Sequence, residues 1–378
     1  MAELLDWQTV ADPRGVLRRI VRALRAGQVV LFPTESDYAL AASALRPEAV
    51  ARLRPEDRDG PLPLVAVRGP GEARDWVPDM GPLAQRLVRR LWPGPVTLAF
   101  TESVEQGLLG RLPAEVRRRL CPDGALRLRA PAHETILEVL RRLSGPLVLA
   151  SVALDPATTD GSLDALGRVV GDRADVLLGD GPRPFPEGAT VVRVHGDAWH
   201  VERPGALDEE TLRQQSACLI VFVCTGNTCR SPLAEALCKK RLADRLGCPI
   251  AELPGRGYQV VSAGLAASSG GPAAEEAIAT AAAHGGDLSQ HRSRPLTPEL
   301  AAQADYLVTM TTGHARALLE SLPRLGCRPQ LLRADGQDVA DPIGQDAAVY
   351  QDCGRQIWEQ LAPLVDELVP CKAAPEGP

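Results

Sequence analysis

The sequence predicts an α/β protein with two domains, on three observations. The chain has 378 residues, a length typical of two or three domains. Short apolar segments typical of strands alternate with amphipathic helical segments in both halves. In the second half this alternation is strict, which favours a parallel sheet with helices on both faces.

The composition fits a folded protein in a reducing compartment. Hydrophobic residues make up 45% of the chain and charged residues 24%, and the net charge of −6 argues against a protein built mainly around nucleic acid. The nine cysteines are scattered without CxxC pairs, which predicts free thiols and no zinc site. No apolar run approaches the roughly 20 residues of a membrane span. We expect a cytoplasmic protein with no membrane partner and no metal centre.

The first half is expected to form one domain over residues 1–207. Residues 15–26 carry one apolar helical face and end at Gly27, a residue typical of helix C-termini. An apolar strand is predicted over 29–32. Further strands are expected over 64–67, 96–100, 126–128, 147–150 and 190–194.

A polar, helical segment over 208–217 is interpreted as a linker, and the second domain is expected over 218–368. Its predicted strands are 219–223, 259–261, 306–310 and 330–333, and its predicted helices are 231–246, 273–284, 313–322 and 349–368. These elements predict a Rossmann-like sheet of four parallel strands. Residues 369–378 are interpreted as a tail, of which 373–378 is expected to be disordered.

The segment from Val221 to Pro232 carries recognisable chemistry. An apolar strand ends at Cys224, a short loop with one glycine follows, and Arg230 stands where the next helix begins. A loop of this length can turn several amides inward at a helix N-terminus, where they bind anions and favour a thiolate. Arg230 can hold two phosphate oxygens at once. This arrangement predicts a nucleophile at Cys224 and a phosphate-binding arginine at Arg230.

Residues 218–368 resemble the low-molecular-weight protein tyrosine phosphatase family. The stretch from Cys224 to Ser231 matches its C-x5-R-S motif, Asp341-Pro342 lies where the family has its general acid, and Ser262-Ala263-Gly264 matches as well. The resemblance implies a phosphorylated protein substrate, in-line attack by Cys224, protonation of the leaving group by Asp341, a phosphocysteine intermediate and no cofactor. It also implies that Asn227 and Ser231 hold the loop and the thiolate. The remaining loop residues that it places around the phosphate are Thr225, Gly226, Thr228 and Cys229.

The residue before the second loop cysteine bears on the substrate. Tyrosine-specific relatives tend to have Ile there, whereas Thr228 gives the loop CTGNTCRS, which resembles protein arginine phosphatases. Ile343-Gly344 follows Asp341-Pro342 where tyrosine phosphatases usually place aromatics, which also favours phosphoarginine over phosphotyrosine. The alternative is that Thr228 is a steric equivalent of Ile.

The other cysteines bear on the class of enzyme and on its response to oxidation. Arsenate reductases share this loop but use a cysteine pair some way downstream, and this chain has no Cys between Cys248 and Cys327, which disfavours that class. Cys229 could form a protective disulfide with Cys224 under oxidation.

Residues 1–207 resemble the YrdC/Sua5 family, a twisted-sheet α/β fold. The matching segments are 32–40, 91–97, 129–133, 189–192 and 203–205. The family makes L-threonylcarbamoyladenylate for tRNA modification from threonine, bicarbonate and ATP with Mg. The resemblance implies a nucleotide and threonine site; its residues here would be Thr34, Tyr38, Arg52, Arg54, Arg129, Ser151, Thr190 and Arg203.

Three departures weaken that site. The family grips phosphate with a Lys and Arg pair, but this chain has no Lys before Lys239, so Arg52 and Arg54 would have to substitute. The family's Ser-x-Asn reads Ser151-Val152-Ala153, and its Ser before Thr190 is Ala189. Two interpretations stay open: a divergent synthase, and a non-catalytic nucleotide- or RNA-binding module that regulates the phosphatase.

Overall fold

The computed structural model describes residues 2–53, 61–152, 162–181, 184–185, 187–322 and 325–369. The chain divides into two compact units, Met1–Gln215 and Ser216–Pro378. Both units are α/β, which confirms the predicted fold class. None of the helices in the described ranges is long and apolar enough to cross a membrane.

The first unit is built on a mixed sheet of ten strands in the order β1-β8-β2-β3-β7-β4-β6-β5-β9-β10. The strands are β1 Glu3–Asp6, β2 Val30–Pro33, β3 Tyr38–Ser43, β4 Leu64–Ala66, β5 Val96–Phe100, β6 Leu126–Arg129, β7 Leu147–Val152, β8 Val176–Gly179, β9 Thr190–His195 and β10 Ala198–Arg203. The helices are α1 Pro13–Arg25, α2 Pro47–Leu53, α3 Ala73–Trp76, α4 Pro82–Leu91, α5 Ala114–Leu120, α6 Glu134–Arg142, α7 Leu163–Val170 and α8 Glu209–Ser216.

Helix α1 shows how the sequence positions these elements. The Asp12 side chain caps its N-terminus by accepting a hydrogen bond from the amide of Gly15, and Pro13 occupies the first turn. Its predicted apolar face is buried, with Ile20 and Leu24 fully inaccessible to solvent. This face packs with α6 against one side of the sheet.

The segment interpreted as a linker is mostly helix α8. Asp208 caps this helix by accepting a hydrogen bond from the amide of Thr211 at 2.7 Å. Leu212 is fully buried in the hydrophobic core of the first unit. The first compact unit therefore extends through Gln215, because this helix contributes an apolar side chain to its core.

The second unit has the predicted sheet of four parallel strands, in the order β12-β11-β13-β14. Its strands are β11 Cys218–Cys224, β12 Tyr258–Gly264, β13 Tyr306–Thr309 and β14 Gln330–Leu331. Its helices are α9 Arg230–Leu246, α10 Glu275–Ala283, α11 Pro298–Gln303, α12 Thr312–Ser321 and α13 Ala347–Leu368.

Strand β11 determines where the cysteine loop lies. All seven of its residues are buried, and their side chains alternate between two core clusters on opposite faces of the sheet. Phe222 and Cys224 belong to the cluster that α9 and α13 cover, whereas Val221 and Val223 face the other side. The alternation thus delivers the Cys224 side chain to the face on which α9 begins.

Candidate active site

The Cys224 thiol lies at the point where β11 ends and the loop to α9 begins. It is 3% exposed. Its Sγ is 2.9 Å from the Oγ of Ser231 and accepts a hydrogen bond from the amide of Asn227 at 3.3 Å. Arg230 and Ser231 form the first turn of α9. The structure therefore brings the predicted nucleophile, loop and helix N-terminus together.

Asn227 holds the centre of the loop. Its φ of +57° lies in the left-handed region, which Asn tolerates better than most residues. Its Nδ2 donates to Ser231 Oγ at 3.0 Å and to Ser262 Oγ at 2.8 Å, while its Oδ1 accepts from the amide of Arg294 at 2.9 Å. The side chain is fully buried, so these bonds fix the loop from inside.

The network continues away from the loop. Ser262 donates to Glu235 Oε2 at 2.6 Å, and Lys239 pairs with the same carboxylate. The Nε2 atom of His291 lies 2.9 Å from the carbonyl oxygen of Asn227. These contacts tie the loop to β12, to α9 and to the segment before α11.

Gly264 lets the loop sit directly against β12. It pairs in register with Cys224 at the ends of the two strands. A Cβ at this position would lie 2.5 Å from the carbonyl oxygen of Thr225 and 3.0 Å from the amide nitrogen of Asn227. Because both neighbours are backbone atoms, any side chain here would displace the loop.

Arg230 is buried beside the loop and faces Asp341. One guanidinium nitrogen, Nη1, donates to the carbonyl oxygen of Val339 at 3.1 Å, and Nη2 donates to the Asp341 carboxylate. The Nε atom is buried and has no hydrogen-bond partner in the described part of the chain. The Asp341 side chain is 41% exposed. The predicted clamp and the predicted acid are therefore neighbours.

The remaining loop residues have contacts that the sequence did not indicate. Cys229 Sγ lies 3.1 Å from the hydroxyl of Tyr350 on α13, and burial raises the pKa of Tyr350. Half-buried Thr228 accepts a hydrogen bond from the amide of Ala274 through its carbonyl oxygen at 3.0 Å. Gly226 is half-buried in the same turn.

In the first unit, Arg129 at the end of β6 is 2% exposed and is held by acidic and hydroxyl groups. Its Nη2 donates to Glu35 Oε1 at 2.9 Å and to Ser36 Oγ at 2.7 Å, and its Nη1 lies 3.6 Å from Asp37. Thr34 donates to the carbonyl oxygen of Asp37 at 2.8 Å. The loop after β2 thus neutralises this arginine from within the protein.

Two further predicted residues adjoin this loop: Tyr38 follows it in the chain, and Arg203 is close to its charged groups. The Tyr38 hydroxyl donates to the carbonyl oxygen of Gly181 at 2.9 Å. Arg203 donates to the carbonyl oxygen of Ala189 at 3.3 Å; burial lowers its pKa, and the charge of Asp37 opposes that shift. The charge of Arg129 also lowers the pKa of Arg203, so Asp37, Arg129 and Arg203 form one charged cluster.

Thr190 and Ser151 occupy strand positions. Thr190 at the start of β9 exchanges hydrogen bonds with the backbone of Leu207, at 3.0 and 2.9 Å. Ser151 pairs with Ala39 in the register of β7 against β3 and is half-buried.

Arg52 lies elsewhere. It donates to both carboxylate oxygens of Asp175, at 2.8 and 3.1 Å. The same carboxylate accepts a hydrogen bond from the amide of Val29, the residue just before β2, whereas Thr34 follows the end of that strand. Arg52 is therefore not brought to the loop around Arg129. Arg54 and Ala153 lie outside the described residues.

Comparisons with known proteins assign both units. Residues 219–372 match the family model described as low molecular weight phosphotyrosine protein phosphatase, and residues 22–205 match the Sua5/YciO/YrdC model, described as telomere recombination. A "Protein-arginine-phosphatase" of Bacillus subtilis is 36% identical over 153 residues, which are 39% of this chain and 95% of the relative. The chain belongs to both families.

Two other relatives agree. "Probable low molecular weight protein-tyrosine-phosphatase EpsP" of Ralstonia nicotianae is 32% identical over 152 residues, which are 40% of this chain and 93% of the relative. "Putative threonylcarbamoyl-AMP synthase" of Mycobacterium tuberculosis is 30% identical over 220 residues, which are 57% of this chain and 95% of that protein. Both family resemblances seen in the sequence are thus confirmed: the chain is a phosphatase fused to a synthase-like unit.

Burial keeps three other cysteines of the chain protonated. Burial raises the pKa of Cys121 and of Cys353 to about 12, and it raises the pKa of the fully buried Cys238 as well. These three groups are therefore thiols at neutral pH. In the described part of the chain, no group of three or more His, Cys, Asp or Glu side chains is arranged to hold a metal ion.

Proposed function

We propose that the phosphatase unit hydrolyses phosphoarginine on cytoplasmic proteins, with Cys224 as nucleophile, Arg230 as phosphate clamp and Asp341 as general acid and base. The observation that carries the mechanism is the arrangement of Cys224 within the Asn227 network, beside an arginine whose Nε is unpartnered among the described residues. A helix N-terminus stabilises the thiolate form of a cysteine, and a guanidinium in the same loop stabilises the negative charge of the phosphoryl group that the thiolate attacks.

In the first step, the Cys224 sulfur attacks phosphorus and an S–P bond forms. The bond from phosphorus to the leaving nitrogen or oxygen breaks, and Asp341 gives its proton to that atom. In the second step, water attacks phosphorus while Asp341 takes a proton from it. The S–P bond breaks, which releases phosphate and restores the thiolate.

Arg230 connects the two groups. Its Nε and Nη2 form the guanidinium edge that can donate hydrogen bonds to two phosphoryl oxygens, and Nη2 donates to Asp341 in this structure. Phosphoryl binding at that edge would compete with Asp341 for Nη2. Once released from Arg230, the Asp341 side chain would take a proton from solvent and could then give it to the leaving group.

The preference for phosphoarginine is supported by three features. Half-buried Thr228 lies in the loop that surrounds the nucleophile. Ile343, which follows the Asp341-Pro342 pair, is 63% exposed and offers an aliphatic surface in place of an aromatic ring. The Bacillus subtilis relative is named a protein-arginine-phosphatase.

The test compares kcat/KM for phosphoarginine and phosphotyrosine peptides in the full chain and in Thr228→Ile. We expect the wild type to favour phosphoarginine and the variant to favour phosphotyrosine. Thr228→Val is the matched control, because it keeps the branched shape and removes the hydroxyl. A substrate ratio that stays unchanged in both variants would mean that Thr228 has only a structural role.

For the synthase-like unit we propose weak binding of adenine nucleotide or threonine and slow or absent synthesis of L-threonylcarbamoyladenylate. The alternative of a binding module that regulates the phosphatase is favoured by the pairing of Arg52 with Asp175 and of Arg129 with Glu35. Both arginines are already neutralised, which disfavours a triphosphate ligand. Product formation from ATP with Mg, threonine and bicarbonate decides between a working synthase and a binding module.

A further inference from the structure

His314 contacts the phosphate loop at Thr225. Neither the mechanism above nor the sequence motifs assign this histidine a role. It stands in the first turn of α12, where its amide donates to the Thr311 hydroxyl that caps the helix. Its ring Nε2 is 2.9 Å from Oγ1 of Thr225, the residue after the nucleophile. The side chain is 7% exposed, and Nδ1 is buried without a hydrogen-bond partner in the described part of the chain.

Three charged groups influence this imidazole from the neighbouring elements. Arg230 belongs to α9, and Asp338 and Asp341 belong to the segment after β14. Burial and the charge of Arg230 lower the pKa of His314, against the opposing effect of the two carboxylates. The ring is therefore neutral at pH 7, with one nitrogen a donor and the other an acceptor.

The proton of this neutral ring belongs on Nε2. A buried donor without a partner is rarer in proteins than an under-satisfied acceptor, so Nδ1 is better as a lone pair. A cation nearby, here Arg230, also favours a lone pair over an N–H group. Nε2 then donates to Thr225 Oγ1, and the Thr225 hydroxyl keeps its own proton for a second partner.

We propose that His314 is a positioning residue of the phosphatase site, which orients the Thr225 hydroxyl so that it donates a hydrogen bond to an oxygen of the phosphoryl group bound at Cys224. Thr225 is exposed and follows the nucleophile directly, so its hydroxyl is available to substrate. The inference rests on the proposed catalytic site but not on which phosphorylated side chain is preferred. A hydrogen bond to a charged oxygen corresponds to roughly a 10- to 100-fold effect.

The experiment uses the full chain with Thr225→Val, His314→Phe and the double variant, and Thr225→Ser and His314→Gln as conservative controls. We would measure kcat/KM for phosphoarginine and for p-nitrophenyl phosphate, the inhibition constant of orthovanadate, and Tm. Thr225→Val and His314→Phe should each lower kcat/KM and weaken orthovanadate by about tenfold or more. The double variant should be no worse than either single variant, because one interaction is lost in all three. Thr225→Ser keeps a hydroxyl and should retain more activity than Thr225→Val, and His314→Gln should recover part of the loss caused by His314→Phe.

A Thr225→Val variant with wild-type kcat/KM and wild-type orthovanadate inhibition would overturn the proposal. Losses that multiply in the double variant would also overturn it, since they would show independent effects. If His314→Phe lowers Tm strongly, the comparison of Thr225→Val with Thr225→Ser still decides whether the site needs the Thr225 hydroxyl. Cys224→Ser is assayed in parallel. Turnover by that variant would contradict the proposed nucleophile, whereas the Thr225 and His314 variants test only the orientation of the Thr225 hydroxyl.

Discussion

The guanidinium of Arg230 donates a hydrogen bond to the carboxylate of Asp341, although the two residues are 111 positions apart. Arg230 is anchored by Val339, which belongs to the same segment as Asp341. The clamp therefore also fixes the position of the acid. Loss of either side chain removes more than one contact, so the two residues are expected to couple in activity measurements.

Asp341→Asn should slow turnover according to the leaving group. The amide cannot give up a proton, so substrates with basic leaving groups should lose roughly 10² to 10⁴ in kcat/KM. A nitrophenolate leaves without a proton, and p-nitrophenyl phosphate should therefore be affected least. The measurement is kcat/KM across aryl and alkyl phosphates of graded leaving-group pKa, because kcat/KM excludes the later hydrolysis of the phosphocysteine, which is common to all substrates. Equal losses across the series would count against Asp341 as the acid.

Cys224→Ser should abolish hydrolysis of every phosphorylated substrate while leaving the fold intact. The serine hydroxyl can keep the contact with Ser231 but is far less ionised than a thiol at neutral pH. Release of inorganic phosphate and Tm are the two readouts. Cys353→Ser serves as control, because burial holds the pKa of that thiol at about 12 and its loss should leave turnover unchanged.

Asn227→Ala should lower the free energy of unfolding of the phosphatase unit by about 4 to 5 kcal/mol. Three side-chain hydrogen bonds are lost, at about 1 kcal/mol each, and alanine at φ +57° adds about 1 to 2 kcal/mol. Asn227→Gly loses the same bonds without that strain and should be the more stable of the two. The check is denaturant unfolding followed by a probe specific to this unit. A ranking with alanine above glycine would contradict the argument from backbone strain.

The phosphatase loop could be located from the sequence because its parts are contiguous. Strand β11, Cys224, the loop and α9 follow one another, so strand periodicity and helix-start preferences describe the site directly. The partners of Asn227 are not contiguous: Ser262 and Arg294 lie 35 and 67 positions away. His314 likewise approaches Thr225 from 89 positions away. Such pairings follow from strand order and register, which local patterns do not encode.

In the first unit, local sequence patterns likewise failed to predict some strands and the pairing of some site residues. Strand β3 is rich in small alanines, and the half-exposed β10 at the sheet edge lacks an apolar run, so neither was predicted. The neutralisation of Arg129 by Glu35 crosses 94 positions. The matching motif segments predicted that Arg129 and the 34–38 loop belong to one site, but not that their charges pair with each other.

Arg52 is expected to stabilise the first unit through its ion pair with Asp175 and not to contribute to nucleotide binding. Arg52 and Asp175 are each partly exposed and are joined by two hydrogen bonds, with further bonds from Arg52 to the carbonyl oxygens of Asp172 and Arg173. Burial alone would raise the pKa of Asp175, but hydrogen bonds from Arg52 and Val29 outweigh it and lower that pKa. The pair therefore stabilises the fold at neutral pH and should cease to do so as the pH falls through the lowered pKa.

Arg52→Gln and Asp175→Asn should each reduce the free energy of unfolding of the first unit by about 1 to 2 kcal/mol at pH 7. Neither should change ATP binding by the full chain, because Arg52 is bound to Asp175 at the opposite end of β2 from Thr34. The measurement is ATP affinity by calorimetry and product formation from ATP, threonine and bicarbonate, on a Cys224→Ser background that removes phosphatase activity. If Arg52→Gln abolished ATP binding while Asp175→Asn, at similar stability, preserved it, Arg52 would have to leave its ion pair to hold phosphate. The unit would then retain a phosphate-binding arginine, and the interpretation as a weakly binding, non-catalytic module would lose its main structural support.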